Sequence, residues 1–354
     1  MNNKINSFNF GTLILSLTSS AFYGTFSSYI LYKTKTDSFL TIIIGFIISL
    51  FLSKIILNLF NQYQSKTFYE RNKPNKITSI IIIILSILTY FFLSLRLSSF
   101  LSNQYLINTQ KYIIHFMILL TTFYISSKGL ETIARVSTIT FFISIFIFIF
   151  DFISLIPEIK IENLYPMFIT SLKDILKTSL LFSIYFITPI FYLNSFKKNQ
   201  ISDLNNYNKN YYIMLFTSLF IILINMFTTI GVSGTNVNNL FDYPIYITLK
   251  RIHLFSFLDS MENISIMLWL LFIINSCNIN LYFIINLLKE TFNLNKIKTI
   301  IISIIIILIF FILSIFILND EFIESYDYII IPTIISTSLI IIQLITNIKE
   351  RLSK

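Results

Sequence analysis

Hydroxyl-bearing residues and a glycine interrupt the first long apolar stretch of the chain. They are Thr18, Ser19, Ser20, Tyr23 and Gly24. A glycine permits a helix to unwind, and the backbone groups freed in this way can meet the charged ends of a zwitterion. The same small residues also let helices approach closely, so packing is the alternative for each residue taken singly. For the cluster Thr18–Thr25 as a whole, we predict a ligand-binding break in a discontinuous helix.

A second cluster of this kind lies in the sixth apolar stretch, where Tyr185 and Thr188 precede Pro189. A proline within a span removes one backbone hydrogen bond and exposes a carbonyl group. The alternative is a packing kink whose carbonyl is satisfied by a nearby hydroxyl. Because two breaks in corresponding positions are better evidence than one, we predict a ligand site between these two segments, near the bilayer midplane.

Arg96 is the deepest clear cation, about a turn and a half from the end of the third apolar stretch. It has three possible roles: binding a substrate carboxylate, pairing with Asp151, or extending its long side chain to the lipid headgroups. The last of these is the simplest interpretation. No acid is evident at mid-bilayer depth, so the predicted ligand site needs no ionised side chain.

Enzyme and metal chemistry have no positive signal in the sequence. The two histidines, His115 and His253, are far apart, and Cys277 is the single cysteine, which argues against a zinc site and excludes a disulfide framework. There is no Walker loop, zincin helix or serine nucleophile elbow. We therefore expect no cofactor, no metal and no catalytic residues.

The composition identifies an integral membrane protein. Of 354 residues, 55% are hydrophobic and 12% are charged, and the mean hydropathy is +0.77, whereas a soluble domain has roughly 25% charged residues. Apolar stretches of about the 20 residues that a membrane helix needs occur at 8–31, 39–60, 77–101, 111–127, 136–157, 174–194, 211–231, 259–288, 297–318 and 328–348. The sequence therefore predicts an all-α protein with about ten transmembrane helices.

The distribution of basic residues predicts the orientation. With the N-terminus inside, 16 lysines and arginines lie on the cytoplasmic side and 8 outside, which follows the positive-inside rule and places both termini in the cytoplasm. The net charge of +9 is thus a property of topology and indicates no nucleic-acid partner. Ten spans form a single membrane domain over 1–354, divisible into repeats 1–157 and 174–348. Since five is odd, the two repeats have inverted topology, with helices 1 and 6 discontinuous.

Three short motifs carry a resemblance to a known family. The loop after the fourth stretch reads Gly129-Leu130-Glu131-Thr132-Ile133-Ala134-Arg135, in which Glu131 and Arg135 are spaced i, i+4 for a helical ion pair. Asn163-Leu164-Tyr165-Pro166 precedes the sixth stretch. Tyr243-Pro244 is followed by Lys250-Arg251, Phe257-Leu258, Glu262 and Trp269. Together with Asp37, these motifs resemble the spore germination permeases, the B subunits of Ger-type germinant receptors.

The sequence departs from the family pattern at three positions. Ser260 stands where the family usually has an arginine, Ser171 where it has a glycine, and Phe39 where it has a tryptophan. The segment Pro244–Leu258 has helical apolar spacing broken by charges, which is typical of an amphipathic helix on the rim of a bundle. We assign structural or signalling roles to Arg96, Gly129, Glu131, Arg135, Pro244 and Glu262.

The resemblance implies a fold of the amino acid–polyamine–organocation transporter superfamily and a location in the inner membrane of the spore. It implies a receptor subunit that binds a small nutrient such as an amino acid and signals with A- and C-type partner subunits. An ion-coupled amino acid transporter of the same fold is the alternative function. A membrane acyltransferase or polysaccharide-handling enzyme is a third hypothesis, which would need acid or histidine chemistry in a cavity.

Overall fold

The long apolar runs of this chain fold into helices, because a segment in hydrocarbon must satisfy its backbone hydrogen bonds internally. The structure is a computed structural model that describes residues 4–62, 76–195, 197, 200–238, 241, 243–252, 262–317, 334–339, 341–342 and 345. Over these residues the chain is helical, and the only β-pairing is an isolated bridge between Ile5 and Ile201.

The first helix changes type along its length. Helix α1 spans Ser7–Ala21, a π-helical turn follows at Phe22–Phe26, and α2 spans Ser27–Thr34. A 3₁₀ turn at Lys35–Asp37 leads into α3, Ser38–Gln62. Helices α4 (Lys76–Gln104), α5 (Lys111–Lys128) and α6 (Leu130–Leu155) complete the first part of the chain.

The second part begins with two short 3₁₀ turns, Ile156–Glu158 and Ile161–Leu164. Helix α7 spans Leu172–Ile187 and continues as a 3₁₀ helix at Thr188–Ser195. The remaining helices are α8 (Tyr207–Asn238), the short α9 (Pro244–Leu249), α10 (Glu262–Thr291) and α11 (Lys296–Ile317). Helix α8 is kinked at Gly234, whose φ is +71°.

Among the residues that the structure describes, seven helical stretches are long and apolar enough to cross a membrane. They are Ser27–Asn58, Lys76–Gln104, Leu130–Glu158, Leu172–Tyr192, Tyr207–Asn236, Trp269–Thr291 and Ile297–Phe316. The predicted count of ten is not confirmed. The first predicted span is divided by the π-turn, the fourth corresponds to α5, which is not among the seven, and most of the tenth lies outside the described residues. The inverted five-plus-five repeat therefore stays a prediction.

Helix α1 lies at the centre of the bundle, in contact with α6, α8 and α10, while α3 pairs with α7 and α4 with α10. Two glycines allow the closest approaches. A Cβ added at Gly45 on α3 would lie 2.7 Å from the carbonyl oxygen of Ser179 on α7, and one at Gly11 on α1 would lie 2.9 Å from Met214 Cγ on α8. Small residues at such crossings are typical of membrane helices, where packing takes the place of the hydrophobic effect between helices.

Many buried serines and threonines hydrogen-bond to carbonyl groups of the preceding turn of their own helix. Ser49 donates to the Phe46 carbonyl at 2.7 Å, and Ser98 to the Leu95 carbonyl at 2.8 Å. This geometry satisfies a hydroxyl without a partner from another helix. A hydroxyl in a span of this protein is therefore not by itself a sign of a binding site.

The N-terminal end of the bundle is joined to the segment that precedes α8. Ser7 Oγ donates to Asp203 Oδ2 at 3.2 Å, and Asn206 Nδ2 donates to the same oxygen at 3.1 Å. Asn206 in the first place, and Ser7 to a smaller extent, hold the pKa of the Asp203 carboxyl below its usual value, because these bonds favour its charged form.

Candidate functional site

The π-turn at Phe22–Phe26 replaces the break predicted near Gly24. A π-turn contains one more residue per turn than the α-helix and often lies at functional sites. Tyr23, in this turn, has its hydroxyl oxygen within hydrogen-bond reach of Asn225 Nδ2 on α8. Its ring stacks on Phe272 of α10, with 6.3 Å between the ring centres. The turn is thus fixed from two neighbouring helices.

The hydroxyls that precede the turn are engaged in packing. Thr18 Oγ1 donates to Ser218 Oγ on α8 at 2.8 Å, and Ser19 Oγ lies 3.4 Å from the same atom. Ser20 Oγ donates to the Leu17 carbonyl at 2.8 Å. All three side chains are buried. Thr18 and Ser19 join α1 to α8, and Ser20 bonds within α1. This is the arrangement expected if these residues serve helix packing.

The second predicted break is a change of helix type at Thr188. Helix α7 ends at Ile187, Thr188 Oγ1 donates to the Ile184 carbonyl at 2.7 Å, and Pro189 lies in the 3₁₀ segment that follows. This segment contacts α1. The Tyr185 ring lies 5.2 Å from the ring centre of Phe26 in the π-turn. The two irregular segments are therefore neighbours, joined mainly by aromatic contact.

A cavity lies beside the π-turn, on the side facing α6, α8, α9 and α10. It contains about 650 Å³ of space unoccupied by atoms, counting the part open to solvent. The lining residues are Tyr23, Ser27, Ser144, Phe148, Asp151, Ile221, Asn225, Tyr243, Ile245, Tyr246, Leu249, Ile266, Trp269 and Phe272. Of the eight predicted ligand-binding residues, Tyr23 is the one in this lining.

Asp151 and Asn225 contribute polar groups to the cavity that the sequence analysis did not assign to a binding site. Asp151 is the lone acid in a run of isoleucine and phenylalanine on α6, and an ionisable residue within a span is a signal of function. Its carboxylate lies near enough to Tyr23 for a Coulombic interaction. This signal could have identified Asp151 as a candidate site residue. The sequence analysis assigned it only a possible role as a partner of Arg96.

Arg96 lies under protein and does not extend to the lipid headgroups. Its side chain is 6% exposed, and its guanidinium carbon is 4.7 Å from the ring centre of Tyr243, which lines the cavity. The Tyr243 ring in turn contacts Phe100 at 4.8 Å and Trp269 at 5.9 Å. Stacking on an aromatic face suits a guanidinium group, because the face carries partial negative charge. Arg96 therefore supports the aromatic wall of the cavity from behind.

The family model for spore germination proteins matches residues 4–320 of the chain. The chain belongs to the spore germination protein family. The match covers most of the sequence, and with the apolar helices it identifies a multi-pass membrane protein related to germination. The family is not known as a family of enzymes. A search of curated proteins returned no match.

The G-x-E-x-I-A-R motif of this spore germination protein begins α6. Gly129 separates α5 from α6 at φ +99°, a conformation that favours glycine. Arg135 Nη2 donates to Glu131 Oε1 at 2.6 Å across one helical turn, with side chains that are 71% and 31% exposed. At this exposure the pair contributes a few tenths of a kcal/mol. The motif thus defines the start of α6.

Asp37 and Asn163 fix the segment that joins α6 to α7. The Asp37 carboxylate is 2% exposed and accepts from the backbone N–H of Phe168 at 2.5 Å and of Thr170 at 2.8 Å. Asn163 Nδ2 donates to the Gly231 carbonyl at 2.8 Å, beside the kink in α8. Both residues belong to the motifs on which the sequence resembles the family, and both serve here to position backbone.

Pro244 begins the short helix α9, which contacts α2, α8 and α10. The described helix ends at Leu249, and residues 253–258 of the predicted amphipathic helix lie outside the described residues. Glu262 is the first residue of α10. Over the described ranges, no three His, Cys, Asp or Glu residues come together in a way that could hold a metal ion.

Proposed function

We propose that this member of the spore germination protein family is the membrane subunit of a germinant receptor. It binds a small nutrient, such as an amino acid, and signals with A- and C-type partner subunits in the inner membrane of the spore. The observation that carries this proposal is the cavity beside the π-turn, in a chain that the family match relates to germination.

The irregular helix supports a binding role for the cavity. Non-helical or altered backbone within a span is stable only beside protein or a water-filled space, and here the altered turn carries Tyr23 directly into the lining. The cavity combines aromatic walls with a few polar groups, as ligand sites usually do. Thr18 and Ser19 join the helix before the turn to Ser218 of α8, Ser20 bonds to its own helix, and Gly24 lies within the turn. The Tyr185 ring contacts Phe26 of the turn, and Thr188 and Pro189 follow Tyr185 along the chain.

The short helix α9 offers a way for ligand binding to reach a partner subunit. It contributes Ile245, Tyr246 and Leu249 to the cavity wall, and Lys250, which follows it, is exposed. A ligand in the cavity would therefore contact an element that is followed directly by an exposed residue. We propose the segment from Pro244 to Leu258, of which the structure describes the part up to Ile252, with the outward loops, as the docking region for an extracytoplasmic partner.

Gene deletion with complementation tests this proposal. Spores that lack the chain should lose the response to at least one nutrient, and the wild-type gene should restore it. Abundance of the chain in spores should fall when the A- or C-type partner genes are deleted. Unchanged abundance together with unchanged germination would contradict a receptor complex.

The transporter alternative is tested by uptake. Membrane vesicles that contain the chain should bind the active nutrient without accumulating it when an ion gradient is applied. Accumulation that depends on the gradient would favour an ion-coupled transporter.

A further inference from the structure

We propose that the loop between α6 and α7 inserts its apolar side chains into the boundary of an anionic lipid bilayer and anchors this end of the bundle to it. These side chains form the loop patch: Tyr165, Met167, Phe168, Ile169 and Leu172. The inference goes beyond the proposed function, because it concerns contact with lipid and does not depend on whether the chain is a receptor. The polar residues of the loop remain available to a partner subunit.

The loop patch is a dense group of exposed apolar side chains in a connecting segment. Five of the eight residues from Tyr165 to Leu172 are large apolar or aromatic residues that are exposed, and Phe168 and Leu172 are each 77% exposed. A group of this kind marks a contact with another protein or with a membrane. The loop patch therefore needs a partner that covers it.

Hydrogen bonds fix the backbone of the loop, so the patch is displayed in a defined position. The N–H groups of Phe168 and Thr170 bond to the Asp37 carboxylate, and Thr170 Oγ1 donates to the Thr34 carbonyl at 3.1 Å. Phe168 has a φ of +62°, which is uncommon for a bulky residue. Such a conformation persists only where surrounding contacts hold it, and it often marks a functional segment.

The position of the loop patch favours lipid over protein as its partner. The loop joins two stretches that are apolar enough to span a membrane, Leu130–Glu158 and Leu172–Tyr192. Leu172, Leu176 and Leu180 are exposed and spaced i, i+4 and i+8, so they lie along one face of α7. In a membrane this face meets lipid. Because Leu172 also belongs to the loop patch, the patch continues a lipid-facing stripe to the end of the span.

The charges around the loop patch favour an anionic bilayer. The exposed charged residues at positions 33–35 and 158–177 are five lysines and three acids, so their charges sum to +2. The lysines are Lys33, Lys35, Lys160, Lys173 and Lys177, and the acids are Glu158, Glu162 and Asp174. Lysines beside a membrane span attract anionic headgroups, which their long side chains can reach. The Tyr165 ring, with its polar tip, is also typical of the membrane interface.

Depth measurements with a spin label test the insertion. The full-length protein is placed in lipid nanodiscs with a nitroxide on Ile169→Cys, and the native Cys277 is left in place because it is buried. We expect the label to lie about 5–10 Å into the boundary between headgroups and acyl chains, where oxygen reaches it and a water-soluble nickel chelate does not. The matched control is Glu162→Cys, an exposed polar position of the same segment, whose label should lie in water. If Ile169→Cys does not fold, Met167→Cys gives the same measurement.

Two outcomes of the depth measurement would overturn the proposal. One is equal access of the nickel chelate to the labels at positions 169 and 162. The other is protection of the label at position 169 that appears only when partner subunits are added, because the loop patch would then be a protein-docking surface. Protection in the isolated chain supports insertion into lipid.

The preference for anionic lipid has its own measurement. A bimane fluorophore on Ile169→Cys is quenched by nitroxide-labelled phosphatidylglycerol or by phosphatidylcholine with the same label. We expect phosphatidylglycerol to bind beside the loop patch about 3- to 10-fold more strongly, and the pair Lys173→Gln and Lys177→Gln to remove this preference. A fluorophore on Ile305→Cys, on the exposed face of α11, is the control, where the lysine substitutions should change nothing. Equal quenching by the two lipids at position 169, with both lysines present, would overturn the anionic preference.

Discussion

The carboxylate of Asp37 accepts a hydrogen bond from the backbone N–H of Thr170 at 2.8 Å, across 133 positions of sequence. With its second bond, to the N–H of Phe168, it holds the segment before α7 against the turn between α2 and α3. Thr36 Oγ1 adds a bond to the Pro166 carbonyl at 2.6 Å. The buried carboxylate of Asp37 thus accepts hydrogen bonds from backbone N–H groups. A buried charged group usually needs such hydrogen bonds.

Replacing Asp37 by Asn should loosen this segment. The amide retains one acceptor oxygen for two N–H groups and removes the charge, so we expect a loss of about 1.5–3 kcal/mol in the free energy of unfolding. The measurement is thermal unfolding in detergent, together with the rate of tryptic cleavage after Lys160 and Lys173. Asp174→Asn is the control, since that acid bonds at the exposed surface to Ser171. Equal cleavage rates in the two variants would contradict the role of Asp37.

Gly45→Ala should destabilise the contact between α3 and α7. The added Cβ would lie 2.7 Å from the Ser179 carbonyl oxygen, a backbone atom that cannot move alone. We expect a cost of about 1–3 kcal/mol, as for other overpacked sites. Gly231→Ala is a suitable comparison, because its Cβ would meet side-chain atoms of Ile159 and no backbone carbonyl. If the Gly45→Ala protein were as stable as the Gly231→Ala protein, α3 and α7 could move apart to accommodate the added Cβ without strain.

Arg96→Lys should weaken the wall of the cavity although it keeps the positive charge. Lysine lacks the planar group that stacks on Tyr243, so we expect a loss of about 0.5–2 kcal/mol. Thermal unfolding gives the stability, and the germination response gives the effect on the site. Arg135→Lys, in an exposed helical pair, should change stability by less than about 0.5 kcal/mol. If Arg96→Lys lost no more stability than Arg135→Lys, stacking of the guanidinium group on Tyr243 would not contribute to stability.

Gly24→Leu should raise the nutrient concentration that gives half-maximal germination, because a bulky side chain stiffens the π-turn beside Tyr23. Ser20→Ala and Thr188→Ala should shift it much less, since both hydroxyls are bonded to carbonyls of their own helices. Immunoblots of spore membranes check abundance. Normal accumulation of Gly24→Leu with a wild-type response would place the ligand site away from this turn.

Acid should weaken the connection between Ser7 and Asp203. The pKa of Asp203 is lowered in the folded protein, so its contribution to stability is present above the unfolded pKa and is lost as the pH falls through the folded value. We expect the difference in melting temperature between wild type and Asp203→Asn to shrink from neutral pH towards about pH 3. A difference that is constant over this range would show that the carboxylate does not contribute through its charge.

The helical nature of the apolar runs was predictable from the sequence, and the use made of their polar residues was not; the predicted count of ten spans is not confirmed. Apolar runs identify membrane helices because length and hydropathy are nearly sufficient for this purpose. The hydroxyls of Thr18 and Ser20 illustrate the limit. Whether such a group faces a cavity, another helix or its own preceding turn depends on side-chain rotamers and helix rotation, which a sequence pattern does not determine.

The charged residues Arg96 and Asp151 show the same limit of a sequence pattern. Sequence position suggested that Arg96 reaches the headgroups, but Tyr243, almost 150 residues away, covers its guanidinium group in the fold. Asp151 is a conspicuous single acid in an apolar run, yet its proximity to Tyr23 and Asn225 arises from the packing of α6 against α1 and α8. These contacts are tertiary, so the chain alone could suggest function at Asp151 without locating the site.

The extra residue of the π-turn at Phe22–Phe26 also gives the first helix a way to rotate. An α-helix turns by about 100° per residue, and shifting a π-turn by one position carries one residue from one side of it to the other. The residues crossed by such a shift change the direction they face, while both ends of the helix remain in place. Tyr23 and Ser27 could then leave the cavity without α1 sliding along α8. The first helix can therefore change which of its residues face the cavity between two fixed ends.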